Sequence, residues 1–80
     1  MNNRMNNMTY ELHEEYVELC NLLKFMGLAD SGGQGKYLVA SGEVSVDGQP
    51  ESRKRAKIRP GQVVVCFDTR IRVVAAGKED

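Results

Sequence analysis

Ser31-Gly32-Gly33-Gln34-Gly35-Lys36, Gly42-Glu43-Val44-Ser45-Val46-Asp47-Gly48 and Arg53-Lys54-Arg55-Ala56-Lys57-Ile58-Arg59 follow one another closely, and their reading decides the fold. Ser31 with Gln34 has the form of a capping box, so a helix opens here. Tyr37, Leu38, Val39 and Ala40 supply its apolar content and Gly42 stops it, which predicts a helix from roughly Gly33 to Ser41. A helix this short takes its stability from docking rather than from propensity. Glu43 to Val46 then alternates with period two and runs into Asp47-Gly48, a tight-turn signal between strands.

Upstream, Tyr16, Leu19, Leu22, Leu23 and Met26 recur at three- and four-residue steps, the apolar stripe of a helix beginning near Glu14 and ending at Gly27. Glu11, Glu14, Glu15 and Glu18 fall at its front and Lys24 near its end, as the helix dipole favours. Residues 1–10 carry Asn and Met without helical periodicity and are expected to be a flexible tail, with the domain over 11–76 and a frayed end over 77–80. Downstream, Pro60-Gly61 predicts a turn. Val63 to Phe67 and Ile71 to Ala75 predict an antiparallel hairpin around Asp68-Thr69-Arg70.

Each helical glycine costs up to about 1 kcal/mol relative to alanine, so Gly32, Gly33 and Gly35 call for compensation. Either the turn packs tightly on the first helix, or the helix start must approach another backbone or an anion closely. Lys36 favours an anion, because a cation early in a helix opposes the dipole.

The formal net charge is zero, yet the charges are segregated. Residues 1–51 hold three Lys/Arg against eight Asp/Glu, and residues 52–80 hold eight against three, so the two parts carry −5 and +5. Five of the cations, Arg53, Lys54, Arg55, Lys57 and Arg59, lie within seven residues and have no carboxylate between them. In an extended chain Arg53, Arg55, Lys57 and Arg59 share one side at steps of roughly 6.6 Å, a spacing of the order of successive phosphates. Such a field points to a polyanionic partner. Arg70 and Arg72 are candidates to extend it.

Eighty residues make one domain at most, and a chain this short buries only about 60% of its unfolded surface. No apolar run approaches the roughly 20 residues of a membrane-spanning helix, and Met1 to Arg4 lacks a secretory apolar core, so the cytoplasm is the default expectation. Cys20 and Cys66 lack paired ligand spacing and read as buried small hydrophobes. His13 stands without a catalytic or ligand constellation. No Ser/His/Asp or Cys/His grouping, phosphate loop or metal cluster is evident, so neither an enzyme nor a cofactor or metal site is expected.

From about Tyr16 to Phe67 the chain resembles the S4 RNA-binding superfamily and its αL motif, most closely the small stand-alone bacterial proteins of the YbcJ-like group. The residues that carry the resemblance are Leu23-Lys24, Gly27, Ser31-Gly32-Gly33, Lys36, Gly42-Glu43-Val44-Ser45-Val46, Asp47-Gly48, Glu51-Ser52-Arg53-Lys54, Lys57 and Gly61. Gly35 departs from the usual alanine and loosens the second helix, and Asp47 stands where asparagine is common and adds a negative charge. The arginine that often opens the first helix of ribosomal members is replaced by the Tyr16-Val17-Glu18 region.

The resemblance implies an α+β fold: a small single domain with two short N-terminal helices packed on a small, mainly antiparallel sheet. It implies RNA binding without catalysis, with Lys24, Lys36, Arg53, Lys54 and Lys57 as contacts, to which the charge pattern adds Arg55 and Arg59. Glu51 is expected to orient a neighbouring cation. With no aromatic residue between Arg53 and Arg59, structured RNA, ribosomal or transfer, is the expected partner, bound through its backbone. The alternative is a protein-interaction module docking its basic edge on an acidic, ribosome-associated partner. A monomer is expected, since the hairpin leaves no evident second apolar face.

Overall fold

The computed structural model describes residues 5–77. In chain order it contains β1 (Asn6–Leu12), β2 (Val17–Glu18), α1 (Leu19–Phe25), α2 (Gly32–Ala40), β3 (Val44–Val46), β4 (Gln49–Pro50), β5 (Lys57–Ile58), β6 (Val63–Cys66) and β7 (Thr69–Ala75). A five-stranded sheet runs β1-β7-β6-β3-β4, and β2 pairs with β5 in a separate two-stranded ribbon. Every pairing is antiparallel except β1 with β7. The expected α+β fold holds, with two helices on a mainly antiparallel sheet.

Both helices end in the same way. Gly27 and Gly42 take φ of 81° and 88°, and the N–H groups around them fold back: Leu28 donates to the Leu23 carbonyl at 2.9 Å and Glu43 to that of Leu38 at 3.4 Å. These are left-handed glycine closures, which L side chains resist. Ser31 caps α2 as the box predicts, with the Gln34 N–H donating to Ser31 Oγ at 3.1 Å, while the Gln34 side chain reaches one residue further back and accepts from the Asp30 N–H. At Asp47-Gly48 both φ values are positive, 52° and 84°, the two-residue hairpin geometry whose twist suits the flanking strands.

One core joins the layers. Leu19, Leu22 and Leu23 of α1 and Leu38 and Val39 of α2 pack with Val44, Val46, Val64, Cys66, Ile71 and Val73 of the sheet. Gly35 makes the helix crossing this close: a Cβ there would overlap the Cys20 carbonyl oxygen and lie 3.1–3.2 Å from the Cys20 carbonyl carbon and Cα. Tight packing on α1 is therefore the compensation at Gly35. At Gly33 a Cβ would meet only the Ser31 hydroxyl, at 3.8 Å.

Four expectations need correction. Of the expected tail over residues 1–10, residues 6–10 belong instead to strand β1, held in parallel register from Asn6↔Thr69 to Leu12↔Ala75. Leu12 is buried in the core and Tyr10 packs against it, while Met8 stays exposed. Met1 to Arg4 and residues 78–80 lie outside the described residues. The first helix starts at Leu19, so Glu11, Glu14 and Glu15 precede it and Tyr16 is not in its stripe. The last hairpin turns at Phe67-Asp68, not Asp68-Thr69-Arg70, and Phe67 takes φ 57° with its ring 55% exposed. Finally, the outer sheet face holds half-buried Val63 and Val65 beside Phe67, so it is not wholly polar.

Cys20 and Cys66 are free and buried, as expected. Burial pushes the Cys66 thiol above its ordinary value, and the charge of Glu43 acts in the same direction. Both thiols should resist a chromogenic disulfide reagent at neutral pH and react fully once denaturant is added; rapid reaction of the native protein would show that the core opens. Gly35→Val should lower unfolding free energy by about 2–4 kcal/mol in urea titration, because the helix crossing has no room for a branched side chain.

Candidate nucleic-acid interface

The geometry of the basic run is set by α1. Glu18 makes no side-chain cap, so the first N–H groups of the helix need other acceptors. They find them in the main chain of the run: Leu19 N–H donates to the Ala56 carbonyl at 2.9 Å and Cys20 N–H to that of Lys54 at 3.1 Å. Ala56 and Ile58 are buried, and β5 pairs with β2 through Val17↔Ile58 and Glu18↔Lys57. The run is thereby fixed across the start of α1 while its charged side chains stay in solvent.

Only Lys57–Ile58 of this run is strand, and Lys54-Arg55 forms a turn. The expected single extended row of Arg53, Arg55, Lys57 and Arg59 is therefore replaced by a bent ribbon. Cys20 is its meeting point with α2. Its N–H takes the Lys54 carbonyl while its carbonyl lies under Gly35, the neighbour of Lys36. Lys36 and Lys54 are thus held around the same residue of α1. Lys24 follows one turn later, a rise of about 6 Å along the axis.

The arginines differ from the lysines. Arg53 forks onto Glu51, with Nε at 2.9 Å and Nη2 at 3.1 Å from the two carboxylate oxygens, and its backbone N–H adds a third bond at 3.0 Å. Glu51 does orient a neighbouring cation. Hydrogen bonds from the side chain and backbone of Arg53 hold the Glu51 carboxyl below its ordinary value. The pair is therefore complete above the ordinary carboxylate range and is lost as pH falls through the lowered Glu51 value.

Arg55 Nε lies 3.2 Å from Glu18, and Arg59 Nη1 lies 3.7 Å from Glu15. The basic run has no carboxylate within it in sequence, but the fold supplies these from the segment before α1. Among the described residues, Lys24, Lys36, Lys54 and Lys57 take part in no ion pair. Exposed pairs such as Glu15–Arg59 contribute on the order of 0–1 kcal/mol, so a phosphate can displace the carboxylate.

Aromatic rings also stand beside the cations, and the linear sequence concealed the one at Tyr16. Lys57 Nζ and Arg59 Cζ lie 5.1 Å and 5.6 Å from the Tyr16 ring centroid, and Lys24 Nζ lies 5.3 Å from that of Phe25. Arg70 and Arg72 do not join this group. They alternate with buried Ile71 and Val73 and so point to the outer sheet face, where Arg70 donates to Asn7 Oδ1 at 3.2 Å. Asp47 is engaged locally, with Oδ1 accepting from the Val63 N–H at 2.9 Å.

Comparison with known proteins agrees with this architecture. The S4 domain family model matches residues 10–74. YbcJ of Escherichia coli (strain K12) and YbcJ of Shigella flexneri are each 50% identical over 60 residues, covering 75% of this chain and 86% of the relative. The solution structure of E. coli YbcJ, which has an αL motif involved in RNA binding, superposes with a TM-score of 0.67 at 48% identity, covering 94% of this chain and 98% of that one. A helix pair, a tight hairpin and a basic turn locked onto the first helix thus occur here in a member of the S4 domain family.

Proposed function

We propose that this protein binds structured RNA through backbone phosphates, using the surface around the start of α1 and the exposed side of α2. The observation that carries this reading is that Cys20 of α1 meets both the Lys54 carbonyl and Gly35, the neighbour of Lys36, while Lys24, Lys36, Lys54 and Lys57 are all exposed and outside any ion pair among the described residues. Lone ammonium groups on a rigid backbone are suited to phosphate neutralisation with counterion release. Arg53, held by Glu51, presents an oriented guanidinium at the edge of the same surface. Arg55 and Arg59 contribute once phosphate replaces Glu18 and Glu15. The motif described for YbcJ, involved in RNA binding in that protein, supports RNA over DNA.

Titration of nuclease-treated protein against ribosomal RNA fragments, transfer RNA and duplex DNA at several salt concentrations tests this reading. RNA should be preferred, and log affinity should fall with log salt at a slope of roughly −3 to −4 for about four contacts. Lys36→Glu combined with Lys54→Glu should lower RNA affinity by at least about tenfold and flatten that slope, with the circular dichroism spectrum retained. A folded double variant that binds as tightly as the wild type would refute the assignment. If neither polymer binds at low salt, the surface serves an acidic protein partner instead.

The carboxylates give an opposite prediction. Glu15→Gln with Glu18→Gln frees Arg59 and Arg55, so RNA should bind more tightly and the salt slope should steepen by up to about 2. Weaker binding by this variant would show that the pairs hold the arginines in their working positions.

A further inference from the structure

An open cleft of about 630 Å³ lies between β1, the segment before α1, and α1 itself. Its size falls within the range of small-ligand sites. Its apolar walls come from Tyr10, Tyr16 and Phe25 with Leu12 and Val17, and its polar groups are His13, Glu14, Glu15, Glu18 and Asn21. The Tyr10 and Phe25 rings are nearly parallel, 10° apart with centroids at 6.1 Å, and Phe25 is 54% exposed. A large aromatic face is left in water next to the basic surface.

The charges around this cleft are arranged in two zones. No Lys or Arg lines it, and the cations stand at its border: Lys24 over Phe25, Lys57 and Arg59 over Tyr16, and Arg55 on Glu18. Inside, Glu15 and Glu18 are already matched by arginines, whereas Glu14 is in no ion pair among the described residues. A basic peptide would meet four cations before it reached one unmatched carboxylate. A ligand with an anionic outside and a flat, donor-bearing inside meets complementary groups in both zones.

Resting on the RNA-binding reading, the geometry points to the Tyr10/Tyr16/Phe25 cleft as the site of one unpaired nucleotide, its base against the aromatic rings and its phosphates on the bordering cations. Bases extruded from folded RNA are read by stacking on aromatic side chains and by hydrogen bonds to their edges. A carboxylate only accepts, so Glu14 selects a base edge rich in N–H donors. Guanine offers adjacent ring N–H and amino donors to a single carboxylate. Uracil offers one N–H between two carbonyl oxygens, which the carboxylate repels. The site therefore takes an unpaired guanine in preference to uracil.

Hairpin RNAs with one shared stem and a single bulged G, A, C or U, together with the fully paired form, test this by fluorescence anisotropy. The bulged G should bind about fivefold or more tighter than the bulged U. Phe25→Ala and Glu14→Gln, both at exposed positions, should each bring that G-to-U ratio toward one, any change in affinity for the fully paired form being shared equally by the G and U bulges. Equal wild-type affinity for G and U bulges, or a preference that survives in both variants, would overturn the cleft assignment alone. Loss of binding to every RNA, the fully paired form included, would overturn the parent reading and this one with it. Binding of an oligo-lysine peptide that depends on Glu14, with no discrimination among bulges, would make the cleft a basic-peptide site and refute the proposal.

Discussion

Two main-chain hydrogen bonds at the start of α1 determine how this small domain presents its charge. Leu19 and Cys20 donate to Ala56 and Lys54, so a helix without a side-chain cap is closed by the segment that carries the cations. Unmet helix N–H groups are costly when buried, and Leu19 and Cys20 are almost fully so. Stability of the first helix and placement of the basic turn are therefore one constraint. The basic turn gains a fixed backbone, so each cation added to it has a defined position instead of a mobile one.

The crossing of α2 over α1 continues from the same residue. Gly35 lets the second helix lie on the Cys20 carbonyl, which brings the exposed Lys36 and Tyr37 to the neighbourhood of Lys54. The glycine weakens α2 as an isolated helix and strengthens it as a docked one. Electrostatics then divides the cations by type. The arginines of the basic run, whose forked guanidinium suits carboxylates, are held by Glu51, Glu18 and Glu15, whereas Lys24, Lys36, Lys54 and Lys57 are in no ion pair among the described residues. The −5 and +5 parts of the chain thus meet across the ribbon of β2 and β5.

Much of this was legible in the sequence because its signals are local. The Ser31/Gln34 cap, the stops at Gly27 and Gly42, the Asp47-Gly48 turn and the burial of both cysteines follow from residues close together in the chain. What was hidden depended on distant partners. Strand β1 carries its alternation in Met8, Tyr10 and Leu12, yet its partner among the described residues is β7 at the other end of the chain, in parallel register. Tyr16 fitted the three- and four-residue stripe of a helix, but Val17 is drawn into pairing with Ile58 and the helix starts later. Because that pairing was not visible, the cations looked unmatched and free of aromatic neighbours. The Glu15, Glu18 and Tyr16 contacts all arise from it. Phe67 read as the end of a strand, whereas the hairpin needs its turn there.

The cleft and the basic surface share α1, with the lysines around Cys20 on one side and the Tyr10/Phe25 pair on the other, while Arg70 and Arg72 occupy a separate sheet face. The surface built on α1, and not the outer sheet, is the one proposed to meet RNA. Amide chemical-shift mapping of labelled protein during titration with a structured RNA tests this most directly. The perturbed signals should cluster at Lys24, Lys36, Tyr37 and residues 53–57. Perturbations confined to Val63, Val65, Arg70 and Arg72, with the α1 region unchanged, would contradict it.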